Sequence, residues 1–88
     1  MKTVLFSQHA LDQMPDRGTT RDEVEMAIRS GELLPAKGKR ISFRKNFPFN
    51  NVLKGKRYGI KQVMPIVIEE SDRIIVVTVY VFYFGGEE

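Results

Sequence analysis

Cysteine is absent from this chain, which removes disulfides, thiolate nucleophiles and every zinc or iron–sulfur site built on sulfur. Histidine occurs once, at His9, so no mechanism that needs two imidazoles is open to it. Carboxylates paired with histidine support are also missing: Asp12, Asp16, Asp22, Glu23 and Glu25 read as solvated helix faces, and neither a metal nor another cofactor is expected. Glycine-rich phosphate loops are missing too, since Lys54-Gly55-Lys56 and Gly85-Gly86 lack the flanking pattern. The longest apolar run, Ile74 to Phe84, covers eleven residues, against the ~20 that cross a bilayer as a helix. The start, Met1 to Ser7, has too short an apolar run for a signal peptide. A cytoplasmic protein without a membrane partner is the expectation.

The most telling absence is of acid. Between Leu34 and Ile68 there is no carboxylate, yet the stretch holds nine cations: Lys37, Lys39, Arg40, Arg44, Lys45, Lys54, Lys56, Arg57 and Lys61. All eleven acids lie outside it, so a net charge of +3 conceals a polarised chain. Like charges this dense repel one another and are most simply explained by a polyanionic partner, with RNA first.

With 88 residues, one domain spanning 1–88 is the natural count, with a single modest core. Up to about Gly31 the pattern is helical. Ser7 caps a helix from Gln8 to about Met14, with Ala10, Leu11 and Met14 as its apolar stripe and Pro15 to Gly18 ending it. Thr20 and Glu23 form a capping box for a second helix, Val24, Ala27 and Ile28 are its buried stripe, and Gly31 suits a left-handed closing position. Beyond this the pattern is β. Arg40-Ile41-Ser42-Phe43-Arg44 alternates, placing Ile41 and Phe43 on the core and the arginines opposite. Asn46 to Asn51 reads as a loop, Arg57 to Ile68 as a strand with a bulge or edge at Pro65, and Ile74 to Phe84 as a central strand buried on both faces. Val4 to Phe6 adds a short first strand. The architecture is α+β: two helices on one face of a three- to four-stranded, mainly antiparallel sheet, with a basic opposite face. Thr78 and Tyr80 then share a face with Ile74, Val76 and Phe82.

Metal-independent RNA cleavage needs a base, an acid and cations around the phosphate. His9 and Tyr80 are candidates for proton transfer. Arg17, Arg40, Arg44 and Lys61 are candidates for the phosphate, with Lys39, Lys45, Lys56, Arg57 and Thr78 extending the surface. His9 equally suits a helix-terminal cap, and Arg17 a solvated turn. A binding-only surface predicts the same composition, with Tyr58, Phe47 or Phe49 for stacking.

The run His9-Ala10-Leu11-Asp12-Gln13-Met14-Pro15-Asp16-Arg17-Gly18, the helix from Thr20 with Val24 and Ile28, and the terminal Ile75-Val76-Val77-Thr78-Val79-Tyr80 resemble a small prokaryotic family catalogued as domain of unknown function four-two-five-eight. That family is similar to the RelE- and BrnT-type ribonuclease toxins, which share two helices followed by an antiparallel sheet. The resemblance implies a toxin–antitoxin or RNA-processing setting, an antitoxin protein and the ribosome as partners, and His9, Arg17, Gly18, Thr78 and Tyr80 as motif positions. Three functions follow: a toxin-like ribonuclease, a non-catalytic RNA- or DNA-binding module, or an interaction domain for an acidic protein.

Overall fold

A computed structural model describes residues 2–86. In chain order the elements are β1 (Thr3–Phe6), α1 (Gln8–Arg17), α2 (Arg21–Ser30), β2 (Glu32–Pro35), β3 (Arg40–Leu53), β4 (Lys56–Glu69) and β5 (Arg73–Phe84). The five strands form one mixed sheet in the order β1-β5-β4-β3-β2, with β1 parallel to β5 and the other neighbours antiparallel. The protein is α+β, with two helices on a sheet of five strands rather than three or four. The added strand, β2, is short and contains Leu33, Leu34 and Pro35, too little pattern to register as a strand in sequence.

Both helix starts follow from their caps. The Ser7 hydroxyl accepts from the Ala10 amide at 3.1 Å, and the Thr20 hydroxyl accepts from the Glu23 amide at 3.2 Å. The ends differ from the sequence expectation. α1 runs through Pro15 to Arg17 and closes at Gly18, whose φ of 79° is left-handed. In the last turn, proline deletes a single helical hydrogen bond, and the Gly18 amide restores closure by donating to Met14 O at 3.0 Å. Gly31 is extended, with φ −82° and ψ 177°. It is small for another reason: a β-carbon there would meet Ala27 O and lie 2.6 Å from Arg44 O, so glycine lets α2 run straight into the sheet.

The core lies between the helices and one sheet face. Ala10, Met14, Val24 and Ile28 pack on Val63, Val67, Val76 and Val79, with Ile41, Phe43 and Phe47 partly buried against them. Burial of such β-branched and long side chains, at ~1.5–3 kcal/mol each, is the main cohesive term. Pro65 is fully buried among them, on a strand with neighbours on both sides. Of the two expectations for Pro65 the edge is therefore absent, while a register shift does stand beside it, between Ile66 and Val67 of the β4–β5 ladder. The β3–β4 ladder instead skips the residues opposite Pro65, resuming at Lys45 and Val63 in unchanged register, because proline has no N–H to contribute.

Two irregularities redirect side chains. In β5 the pairing jumps from Val67↔Val76 to Ile66↔Thr78, leaving Val77 as an extra residue. A bulge of one residue inverts strand alternation. Ile74 and Val76 consequently share the helix side with Val79, not with Tyr80 and Phe82 as strict alternation requires. In β3 the register shifts between Pro48 and Asn51, and the expected loop at 46–51 is strand throughout. The hairpin to β4 closes through Lys54 and Gly55, with φ of 52° and 80°, the paired left-handed geometry of a tight two-residue turn.

The outer face is not the basic face that alternation in β3 suggested. Across the strands, Phe84 pairs with Ile60, Phe82 with Gln62, Tyr80 with Met64 and Ile75 with Ile68. Charge enters this face at its margins, at β3, where Arg40 pairs with Ile68, and at Arg73, which shares the face of Ile75 at the start of β5. β5 is accordingly buried on one face and not two, with Phe82 45 % exposed.

Candidate functional site

Beyond Val76, β5 has no strand partner on the β1 side, and α1 covers that open edge with side chains. The Ser7 hydroxyl donates to Val77 O (3.1 Å), the Val79 amide donates to Gln13 Oε1 (3.0 Å), and Arg17 Nη1 donates to Val79 O (2.6 Å). The Thr78 hydroxyl donates to the same Gln13 oxygen at 2.7 Å. His9, Gln13 and Arg17 stand four residues apart, so they form one stripe along the helix. An unpaired edge is thereby satisfied without another strand.

At the C-terminal end of this seam lies a cleft of about 390 Å³, lined by Pro15 to Gly18 of α1 and its cap, Leu53 and Lys54 of the hairpin tip, and Tyr80, Val81 and Tyr83 of β5. The Arg17 guanidinium sits 5.3 Å from the centre of the Tyr80 ring, within cation–π range. Among the described residues one of its five N–H groups is committed, to Val79 O. Tyr80 is 42 % exposed. The cleft therefore joins two cations, Arg17 and Lys54, to a solvent-accessible phenol, with the Asp16 carboxylate at the rim.

The wall is held from behind. The Tyr83 hydroxyl donates to Arg17 O at 2.8 Å and Lys61 Nζ donates to Gly18 O at 2.9 Å. Lys61 also pairs with Glu23 Oε1 at 2.8 Å, and the Thr19 hydroxyl donates to that carboxylate oxygen at 2.9 Å. Burial, with a smaller contribution from the Glu23 charge, raises the Tyr83 phenol above its ordinary 10.0, so it remains a donor. Gly18 is required twice, by its left-handed φ and because a β-carbon would stand 2.5 Å from the Tyr83 oxygen.

The residues singled out in sequence are scattered by this arrangement. Arg17 and Tyr80 come together. His9 does not join them: it is exposed, makes no hydrogen bond or ion pair among the described residues, and sits eight residues up the same helix, ~12 Å away along the axis. Lys61, expected to hold a phosphate, is buried on the helix side in its ion pair. Lys45 follows the same side, between Phe43 and Phe47, and Thr78 is committed to Gln13. Lys39 and Arg40 are exposed at one end of β3, Arg44 is paired with Glu32 at 2.7 Å, and Lys56 and Arg57 are exposed at the other end, with Lys56 5.6 Å from the Tyr58 ring. Arg40 and Lys54 are separated by most of β3, ~45 Å at 3.3–3.4 Å per residue, close to the 46 Å long dimension of the molecule. The basic segment thus builds two separate ends and not a single face.

Lys54, Asp16 and Tyr83 were not legible as site residues. Only the four-residue spacing from His9 through Gln13 to Arg17 could have pointed to the seam. A larger groove of about 580 Å³ lies elsewhere, over Val4, Ile28 and Ile74. Its rim charges are of both signs, and Lys2 is closed on Glu69 at 2.7 Å, so it has no preference for an anion. Among the described residues no three His, Asp or Glu side chains converge to hold a metal ion, and no helix is long and apolar enough to cross a membrane.

The cleft and seam are built from the segments 7–18, 53–54 and 76–83, and a family model described as a domain of unknown function, DUF4258, matches residues 6–81. The chain belongs to the DUF4258 family. No curated protein and no solved structure matches it. In this DUF4258 chain the matched region contains both helices and all of the seam, together with Tyr80, and stops before Tyr83.

Proposed function

We propose that this DUF4258 protein is a toxin-like ribonuclease of the RelE and BrnT type, cutting RNA without a metal. The observation that carries the reading is the pairing of Arg17 with Tyr80 beside Lys54 in one cleft. The scissile phosphate sits between the Arg17 guanidinium and the Lys54 ammonium, which offset the charge that builds as the 2′-hydroxyl attacks. The 2′-oxygen bonds to phosphorus and releases its proton to water. As the bond to the 5′-oxygen breaks, the Tyr80 phenol gives that oxygen its proton and is reprotonated from solvent, leaving a 2′,3′-cyclic phosphate and a 5′-hydroxyl. Proton transfer requires ~2.6–3.2 Å or one bridging water, so His9, two turns away on the same stripe, is assigned to holding the flanking RNA. The setting is a toxin–antitoxin pair.

A non-catalytic RNA- or DNA-binding module is the second reading, favoured by the exposed cations at both ends of β3. End-labelled RNA incubated with the protein in excess chelator separates the two. Discrete cuts by wild type, reduced ~10²-fold or more in Tyr80→Phe and surviving in His9→Ala, support the nuclease. RNA that is bound but left intact by wild type supports the module.

A further inference from the structure

The outer sheet face is used by neither the core nor the basic ends. From Ile60 to Ile68 of β4 and from Ile75 to Phe84 of β5 it carries no charged side chain, and the amide of its Gln62 is already spent on Asn46 Oδ1 at 2.9 Å. Tyr80, Phe82 and Phe84 are 42, 45 and 40 % exposed, and at ~150–250 Å² per aromatic side chain the three alone leave roughly 250 Å² open to water. With the half-buried Ile60, Met64, Ile66 and Ile68 beside them, the patch reaches ~500 Å², at the upper end for a monomer.

We propose that a second copy of this chain packs on this face, sheet against sheet, about a two-fold axis parallel to the strands and above the β4–β5 boundary. Two such patches bury on the order of 1,000 Å², the size of a weak, reversible interface. The charge layout selects the partner and the axis. An acidic partner would find no cation within the patch: the outward cations stand at its margins, with Arg44 of β3 closed on Glu32, Arg73 at the start of β5 closed on Glu70 and Asp72, and Arg40 at the far end of β3. A strand-parallel axis lays each β5 over the partner's β4 and sends the two β3 strands to opposite flanks. They are then three strand spacings apart sideways and one sheet spacing apart in depth, ~14 Å and ~10 Å, beyond the ~10 Å Debye length at 0.1 M salt. A two-fold perpendicular to the strands would stack β3 on β3 and lay the Arg44–Glu32 pair against its copy, placing charges at the middle of the interface. Tyr80 belongs to both patch and cleft, so pairing competes with any ligand that approaches the cleft from the sheet side.

Light scattering on the full chain tests this. The wild-type mass should rise from 10.1 kDa toward twice that value as the chain approaches about 0.5 mM, enough to populate a dimer with a Kd of ~100 µM or tighter. Phe82→Asp should remain monomeric with an unchanged far-ultraviolet spectrum. If that variant loses its fold, Phe84→Lys at the patch rim takes its place and should also remain monomeric. Pairing should persist in 1 M salt, since the patch is uncharged. A wild type that stays monomeric at the highest concentration, variants that associate like wild type, or dissociation by salt would each overturn the proposal.

Discussion

The two faces of the sheet are built from the same strands and have opposite fates. On the helix side, Val63, Val67, Val76 and Val79 have no exposure at all. On the outer side, larger and more apolar residues, Phe82 and Phe84 among them, stand open. Hydrophobicity along a strand therefore says how much apolar surface is present, and the position of the helices says which half of it is covered. α1 and α2 cover one side because their own stripes, Ala10 with Met14 and Val24 with Ile28, have nowhere else to go.

That contrast can be broken at several points. The largest effect is expected from the covered face: Met14→Ala should cost about 3 kcal/mol by urea unfolding, whereas Phe82→Ser, with a side chain nearly half solvated, should cost under about 1 kcal/mol in the monomer. Equal costs would mean that the outer face is covered too. Next is Lys61, a charged strand residue buried on the helix side. Lys61→Met should cost about 2 kcal/mol, below the 3–5 of a fully buried pair because Glu23 keeps some contact with water, and adding Glu23→Gln should recover part of the loss in a double-mutant cycle. Gly18→Ala should cost about 1–2 kcal/mol, through left-handed strain and displacement of the Tyr83 hydroxyl.

The smallest effect concerns pH. The folded protein holds the Tyr83 proton more tightly than the unfolded chain does, since its phenol is raised above 10.0. The unfolded state therefore releases that proton first. The stability contributed by Tyr83 is complete below pH 10 and fades as pH rises through the folded value. In Tyr83→Phe that part of the alkaline decline should be missing from melts run between about pH 9 and 11.

Much of the local structure was legible. Ser7 and Thr20 announced both helix starts, and the spacings of Ala10 to Met14 and Val24 to Ile28 named the faces that pack. The second half of the capping box was not legible: Glu23 follows Thr20 at the right distance, yet its carboxylate is taken by Thr19 and by Lys61 from β4. Pro65 read as a bulge or an edge because local logic disfavours proline in a regular central strand, and the gap in the β3–β4 ladder that accommodates it arises only when the strands are paired. Of the site, Arg17 and Tyr80 could be nominated from residue type. Lys54 could not, since its place beside them depends on where the hairpin tip reaches.

By itself the sequence determined what is local: where the helices begin, which of their faces are apolar, that the first helix ends within Pro15 to Gly18, and the segregation of every acid away from residues 34–68. These depend on neighbours within one or two turns and need no partner to be read. Tertiary structure alone decided which cations face water, that Lys61 is spent on Glu23, that Val77 is bulged and inverts the face of Tyr80, and that α1 covers the edge of β5 beside the cleft. Each of these joins residues on different elements, from Val67 and Val76 at the bulge to Arg17 and Val79 at the seam, and such contacts are set by strand register and by competition for burial.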